Sequence, residues 1–152
     1  GLDSQRLAAA GGSAGGHIAA CAGVISGFDD PSEDLAVSST PAALALFNPV
    51  LDVTFDPGLA ERFGGTAIAE HLSPLRQIRA DLPPTWITHG VEDATVPFRQ
   101  ARQFSAQMLA AGNQVTLLEA PGAQHGFFNR SPWLEETLDS LSIFLVGLGY
   151  LA

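Results

Sequence analysis

The stretch GGSAGGH, at residues 11–17, decides how this sequence is interpreted. It lies between two apolar runs, and we expect it to form a tight turn from a strand into a helix. In a G-x-S-x-G turn of this kind, Ser13 is strained and its hydroxyl projects beyond the carboxyl end of a sheet. Gly11 and Gly15 are expected where the strand and helix backbones approach too closely for a side chain. Ala14 begins the helix, which leaves its backbone N–H free to meet negative charge.

Composition narrows the class of protein. A length of 152 residues suits one domain, and 46% hydrophobic residues are enough for a core. The net charge of −9, from 16 acidic residues against 7 basic ones, argues against nucleic acid or an anionic membrane as a partner. Cys21 is the one cysteine, so it has no internal disulfide partner, and we expect a buried, unreactive thiol.

Apolar runs typical of buried strands alternate with helical patterns along the chain. This alternation predicts an α/β fold, with a parallel sheet of about four strands and helices packed on its faces. The strand at 7–11 is expected to be fully buried, and the small-residue helix after it to lie in the interior. A later helix carries four apolar residues at helical spacing: Ala101, Phe104, Met108 and Leu109. The strands are expected at 7–11, 42–47, 85–88 and 114–118, and the main helices at 13–25, 98–111 and 132–148.

Two segments interrupt this alternation. Residues 51–82 carry two short helical patterns, at 57–63 and 66–72, and we expect a small helical insertion over one end of the sheet, a candidate lid. Residues 27–40 are polar and rich in turn formers, which predicts a surface loop. The acidic run at 29–34 lacks the spacing of a twelve-residue calcium loop, so a solvated surface is the better interpretation.

Three chemically capable side chains follow predicted strands. Ser13 comes after the first strand, Asp93 after the third and His125 after the fourth. Because the carboxyl ends of parallel strands open on one edge, we expect these side chains to converge there. The chain order Ser, Asp, His suits a nucleophile, an orienting acid and a base. Glu92 is the rival of Asp93 for the acidic position.

With these motifs in place, the chain resembles the carboxyl-terminal half of an α/β-hydrolase. Within that superfamily it is similar to the esterase and lipase group that includes bacterial carbohydrate and feruloyl-type esterases. The resemblance covers nearly the whole chain. Its matching stretches are GGSAGGH at 11–17, LFNPVLD at 46–52, HGVEDATVPF at 89–98 and QHGFFN at 124–129.

The resemblance implies specific roles. Ser13 is expected to be the nucleophile, Asp93 the acid, His125 the general base, and the Ala14 N–H one donor to the oxyanion. It implies cleavage of a small-molecule ester through an acyl-enzyme intermediate, with no cofactor. The chemistry of the residues agrees, because a serine hydroxyl needs an imidazole to take its proton, and the imidazole needs a carboxylate to orient it.

One part of the family pattern is missing from these residues. The second oxyanion donor is expected in a glycine-rich loop well upstream of Ser13. We therefore expect residues 1–152 to be a single, truncated α/β-hydrolase domain whose activity in isolation is uncertain. The strand at 7–11 would then have an unpaired edge, through which the chain is expected to self-associate.

Two alternatives stay open. The first is a serine peptidase of the prolyl oligopeptidase type, which resembles this chain in its acid loop and His-Gly-Phe segment. Such peptidases usually have a bulky aromatic residue after the nucleophile, so Ala14 favours an esterase. The second is an inactive fragment or binding module that lacks the oxyanion loop.

The remaining candidates have structural explanations. We expect His17 to be a packing residue, His89 to support the acid loop, and His71 to lie on the surface. None has the ligand spacing of a metal site. No apolar run is long enough to span a membrane, and any targeting sequence would lie upstream, so the compartment is unknown. Three aromatic residues after the base are open between a substrate pocket and the core: Phe127, Phe128 and Trp133.

Overall fold

A four-stranded parallel sheet forms the centre of the molecule in a computed structural model, which describes Asp3 and residues 6–34 and 36–151. The strands lie in the order in which they occur in the chain, and each pairs in parallel with the next. The predicted α/β fold class is confirmed. The strands are β1 (Ala8–Gly12), β2 (Ala43–Phe47), β3 (Thr85–Gly90) and β4 (Val115–Ala120).

Five α-helices accompany the sheet within the described residues: α1 (Ala14–Val24), α2 (Pro57–Arg62), α3 (Thr66–His71), α4 (Arg99–Ala110) and α5 (Trp133–Gly147). Helices α1 and α4 pack on one face of the sheet and α5 on the other. The alternation of side chains in β2 explains this division. Leu44 and Leu46 join the cluster with α1 and α4, whereas Ala43 and Ala45 join Phe144 of α5.

The expected helical insertion between β2 and β3 is present. It contains α2, α3 and two short 3₁₀ turns, Val53–Phe55 and Pro74–Arg76. Its buried side chains form a small cluster of their own: Val53, Ala60 and Ala69. The side chain of Gln100 on α4 fixes the start of the insertion, since its Oε1 accepts the N–H groups of Leu51 at 2.8 Å and Asp52 at 2.9 Å. The role of this insertion as a lid stays a prediction.

The expected burial of the first elements is wrong in part. The residues of β1 alternate between exposed and half-buried, because α1 covers one face of this edge strand and the other face, that of Ala8, Ala10 and Gly12, is exposed. Helix α1 is buried on one side only, and its Ile18 is 72% exposed. On α4, Ala101, Phe104 and Met108 are buried as expected, but Leu109 faces solvent.

One expectation about the surface has a structural counterpart. Residues 26–34 and 36–40 are exposed, which confirms the surface loop wherever the chain is described. None of the helices in the described residues is both long and apolar enough to cross a bilayer. β1 forms one edge of the sheet, and self-association through that edge stays a prediction.

Candidate active site

The turn between β1 and α1 is strained at Ser13, whose φ of 54° and ψ of −118° lie in a region that non-glycine residues rarely adopt. Gly11 permits this turn, because a Cβ there would come within 3.0 Å of the Gly15 carbonyl. The expectation for Gly15 is wrong, since a Cβ at that position would meet nothing within 4 Å. Gly16 is the second constrained glycine, because its Cβ would lie 2.9 Å from the Gly11 oxygen.

The hydroxyl of Ser13 does not serve as a helix cap. A serine at the N-cap usually accepts a hydrogen bond from the first turn. Here the side chain makes no such bond, and Oγ lies 3.0 Å from Nε2 of His125. The first N–H of α1 to bond back to the turn is that of His17, which donates to the Ser13 carbonyl at 3.0 Å. The N–H of Ala14 precedes it and has no intrahelical acceptor, as a donor to an oxyanion requires.

Asp93 holds the other side of the imidazole. Its Oδ2 accepts a hydrogen bond from Nδ1 of His125 at 2.7 Å, and its side chain is fully buried. Its Oδ1 accepts the backbone N–H groups of Thr95 and Val96, both at 2.9 Å. With Nδ1 donating to the carboxylate, Nε2 of neutral His125 accepts from the Ser13 hydroxyl. Glu92, the rival of Asp93 in the sequence, is exposed.

His89 lies beneath the acid loop, as expected. Its side chain is fully buried, and Nε2 is 3.0 Å from the Val96 carbonyl and 3.4 Å from Oδ2 of Asp93. Burial lowers the pKa of His89, and this outweighs the opposing effects of the Val96 carbonyl and the Asp93 charge. A neutral ring that donates to a carbonyl supports the loop without drawing the carboxylate away from His125.

The loop that carries His125 must cross the end of the sheet. Ser13 follows β1 and His125 follows β4, the two outer strands, which are separated by three strand spacings or about 14 Å. The loop passes first over the end of β3. A Cβ on Gly90 would come within 3.0 Å of the Ala123 carbonyl, and that carbonyl accepts the Glu92 N–H at 3.1 Å. Gly90 therefore lets the loop that carries Asp93 (the acid loop) lie against the loop that carries His125 (the base loop).

The loop is then held at the end of β2 by Asn48. This residue is buried, has a φ of 34°, and accepts the Gly126 N–H on its Oδ1 at 2.9 Å. Its own N–H donates to the Thr88 carbonyl at 2.7 Å. The preceding carbonyl, that of Phe47, accepts the Ser13 N–H at 2.9 Å. Asn48 thus lies between the serine turn and the base loop.

Asn48 received no role from the sequence, although the stretch 46–52 was part of the resemblance. The available signal was an asparagine at the end of a buried strand, directly before Pro49. Asparagine is among the residues most often found at positive φ. Its contact with Gly126 spans 78 residues of chain, and no local pattern predicts such a pairing.

The aromatic residues that follow His125 belong to a hydrophobic cluster. Phe127 packs with Ala120 and Ala123, and its ring meets that of Trp133 at 5.7 Å, edge to face. Phe128 lies 5.1 Å from the Phe47 ring. Of the two interpretations left open by the sequence, the structure favours the core.

The other two histidines have other contacts. His17 is buried and stacks on Phe63, with ring centroids 5.6 Å apart, as expected of a packing residue. His71 is exposed at the end of α3, as expected. Within the described part of the chain, no group of three or more His, Cys, Asp or Glu residues is arranged to hold a metal ion.

Comparison with known proteins places this geometry in a family. Residues 53–146, which include Asp93 and His125, match the model of the prolyl oligopeptidase family. The chain belongs to the prolyl oligopeptidase family. Ser13 lies outside the matched residues, yet the structure brings it into hydrogen-bonding contact with the His125 that lies within them.

Solved structures similar to this member of the prolyl oligopeptidase family are esterases. Thermogutta terrifontis esterase 2 phosphoramylated by tabun is 43% identical, with a TM-score of 0.90, over 100% of this chain and 58% of that one. The apo form of the same esterase is 42% identical, with a TM-score of 0.91, over 100% of this chain and 59% of that one. These matches confirm the α/β-hydrolase fold.

Curated relatives are also named esterases. Esterase LipC of Mycobacterium tuberculosis is 32% identical over 84% of this chain and 36% of its own length. Esterase LipQ of the same organism is 29% identical over 84% of this chain and 34% of its own length. The chain therefore spans about a third of the length of these relatives.

Proposed function

We propose that this protein is a serine hydrolase that cleaves small carboxylic esters through an acyl-enzyme intermediate. The observation that carries the proposal is the continuous hydrogen-bond chain from Asp93 through His125 to Ser13, with distances of 2.7 and 3.0 Å. The similarity to proteins named esterases supports the ester bond as the target.

In the first half of the proposed reaction, Oγ of Ser13 attacks the ester carbonyl carbon while Nε2 of His125 takes the hydroxyl proton. The carbonyl oxygen becomes an oxyanion, and the N–H of Ala14 is one donor to it. The buried Asp93 carboxylate stabilises the imidazolium and keeps Nδ1 protonated. The tetrahedral intermediate then breaks the bond to the alcohol oxygen, which leaves with the proton from Nε2.

In the second half, water replaces the alcohol. The oxygen of the water attacks the acyl carbon while His125 takes a proton from the water. The same imidazole then returns that proton to Oγ of Ser13. The carboxylic acid leaves and the hydroxyl is regenerated. No electron or group is needed beyond water, and each proton moves between water, His125, Ser13 and the leaving alcohol.

A peptidase is the second candidate, and the family match is the observation that favours it. The amine of a peptide leaves less readily than the alcohol of an ester, and its nitrogen must receive a proton as it leaves. Nε2 of His125 can donate that proton in either reaction. The small side chain of Ala14 beside the nucleophile and the esterase names of the relatives favour the ester. Hydrolysis of p-nitrophenyl acetate without cleavage of a proline-containing peptide supports the esterase, and the reverse result supports the peptidase.

Labelling with a fluorophosphonate probe tests the proposal directly. We expect covalent modification at Ser13 and hydrolysis of p-nitrophenyl acetate, with both lost in Ser13→Ala. The rate should fall by about four to six orders of magnitude, as for removal of a serine in other triads. Ser142→Ala is the matched control, since that serine is exposed on α5, which packs on the face of the sheet opposite α1. Labelling that persists in Ser13→Ala contradicts the proposal.

A further inference from the structure

A cavity of about 400 Å³ lies between α1 and the helical insertion, and it is bordered by Ala14, the residue after the candidate nucleophile. On the side of α1 it is bordered by Ala14, Ile18 and Cys21. The insertion contributes Leu59, Phe63 and Leu72. Its size falls within the range of small-molecule sites, which usually measure about 300 to 1,000 Å³.

The residues that α1 contributes to the cavity form a line along the helix that starts beside Ser13. Ala14, Ile18 and Cys21 are separated by four and three residues, so they form one stripe along the helix. At a rise of 1.5 Å per residue, this stripe is about 10 Å long. It begins beside Ser13 and ends near Leu72, whose carbonyl lies 3.7 Å from Sγ of Cys21. A group held at Ser13 can therefore extend along α1 beneath the insertion.

The surroundings of this stripe are uncharged. Burial raises the pKa of the Cys21 thiol to about 11, so the sulfur is protonated at neutral pH. Burial also lowers the pKa of His17, whose ring stacks on Phe63 and has Nε2 3.3 Å from Sγ of Cys21. The other bordering side chains are hydrocarbon. Such a lining favours an apolar ligand over a polar or charged one.

We propose that this cavity binds the linear alkyl chain of the ester, so that the protein acts on medium-chain aliphatic esters. This inference rests on the proposed function, because it places the ester carbonyl at Ser13. The alkyl chain can belong to the acyl group or to the alcohol. The chemistry is the same in both cases, and two substrate series separate them.

Cys21→Phe tests the inference, because it fills the cavity two helical turns from Ala14 and leaves the space beside Ser13 open. Ala22→Phe is the matched control, since it introduces the same side chain at the next position of α1, which is exposed and does not border the cavity. Cys21→Leu is a milder version of the change in case the larger ring prevents folding.

The measurement is kcat/KM for p-nitrophenyl acetate, butyrate, hexanoate and octanoate, and for ethyl, butyl, hexyl and octyl acetates. In the series whose chain enters the cavity, kcat/KM should rise about fourfold per added methylene, which corresponds to ~0.8 kcal/mol of transfer free energy. Cys21→Phe should lower the ratio of kcat/KM for the longest ester to that for the shortest ester at least tenfold in this series, whether octanoate to acetate or octyl acetate to ethyl acetate. It should change kcat/KM for the shortest ester less than twofold. Identical chain-length profiles in Cys21→Phe and Ala22→Phe overturn the inference.

A binding measurement separates this inference from the proposed function. In the Ser13→Ala background, calorimetric titration with butyrate, octanoate, butanol and octanol needs no catalysis. Tighter binding of the longer member of one pair, lost with Cys21→Phe and kept with Ala22→Phe, supports the cavity even if Ser13 proves not to be a nucleophile. Equal loss in both variants, or no dependence on chain length, overturns the cavity even if Ser13 is labelled.

Discussion

Asn48 offers a sharp test of how the base loop is positioned, because its Oδ1 accepts the Gly126 N–H at 2.9 Å, one residue from His125. Asn48→Ala removes this acceptor and leaves a partly buried N–H without its partner. The loss should cost about 1–3 kcal/mol of unfolding free energy. Alanine also tolerates the φ of 34° less well than asparagine.

The contact should matter for catalysis as well as for folding. A displacement of a catalytic group by about 1 Å typically costs about 100-fold in rate. We therefore expect Asn48→Ala to stay folded at 25 °C and to lose about 10- to 100-fold in kcat/KM for p-nitrophenyl acetate. Urea unfolding and steady-state kinetics on the same samples measure the two effects.

Asn129→Ala is the matched control, since Nδ2 of Asn129 donates to the carbonyl of the same Gly126 at 3.0 Å but from an exposed position. It should change kcat/KM less than twofold. Asn48→Asp gives a second readout, because it keeps an acceptor and adds a negative charge near the imidazole. That charge favours the imidazolium, so the acidic limb of the kcat/KM profile should move to higher pH while activity at pH 9 is kept.

Two results would refute this reasoning. One is an Asn48→Ala protein whose stability falls while its kcat/KM matches that of Asn129→Ala, which would make the contact purely structural. The other is an Asn48→Asp protein whose pH profile is unchanged. The first result would show that Asn48 does not position His125, and the second that a charge at position 48 does not act on the imidazole.

Three further predictions concern packing, titration and thiol chemistry. Gly90→Ala should destabilise the protein by about 1–3 kcal/mol and lower activity, because its Cβ would collide with Ala123, whereas Gly147→Ala in open space on α5 should be neutral or stabilising in urea unfolding. Burial lowers the pKa of both His17 and His89 below the ordinary 6.5, so the unfolded state takes up these protons first. The unfolding free energy should therefore fall as the pH drops below about 6.5, by at most ~1.4 kcal/mol per pH unit for each histidine. His17→Phe should remove the share of this slope that belongs to His17, and an unchanged slope would contradict the prediction. Cys21, with a pKa of about 11, should react with a disulfide reagent at pH 8 about 100-fold more slowly in the folded protein than in urea, and equal rates would show the thiol to be ordinary.

The sequence was sufficient for the architecture because its signals are local. Alternating strand and helix patterns, together with the glycines around Ser13, predicted the parallel sheet and the turn to within two residues at most boundaries. The errors have a common cause. The exposure of β1, Ile18 and Leu109 depends on which neighbours cover each face, and the local sequence does not show which neighbours those are.

The candidate site was only partly accessible from the sequence. Ser13, Asp93 and His125 each stand at the end of a strand, so the topology of a parallel sheet predicts that they meet. The supporting contacts do not follow from topology. Asn48 contacts Gly126, which is 78 positions away in the sequence. Gly90 lies against Ala123, which is 33 positions away. Only the folded backbone shows these pairings.

The crossing of the base loop from β4 to β1 has a consequence for how the protein is handled. Ser13 and His125 are 112 residues apart and depend on opposite borders of the sheet, so every strand between them must be in place before they touch. A partly assembled chain should retain helical circular dichroism yet ignore a serine-directed probe. The labelled fraction of a preparation would then report how many molecules have completed folding, which makes the probe a quality assay for refolded or stored material.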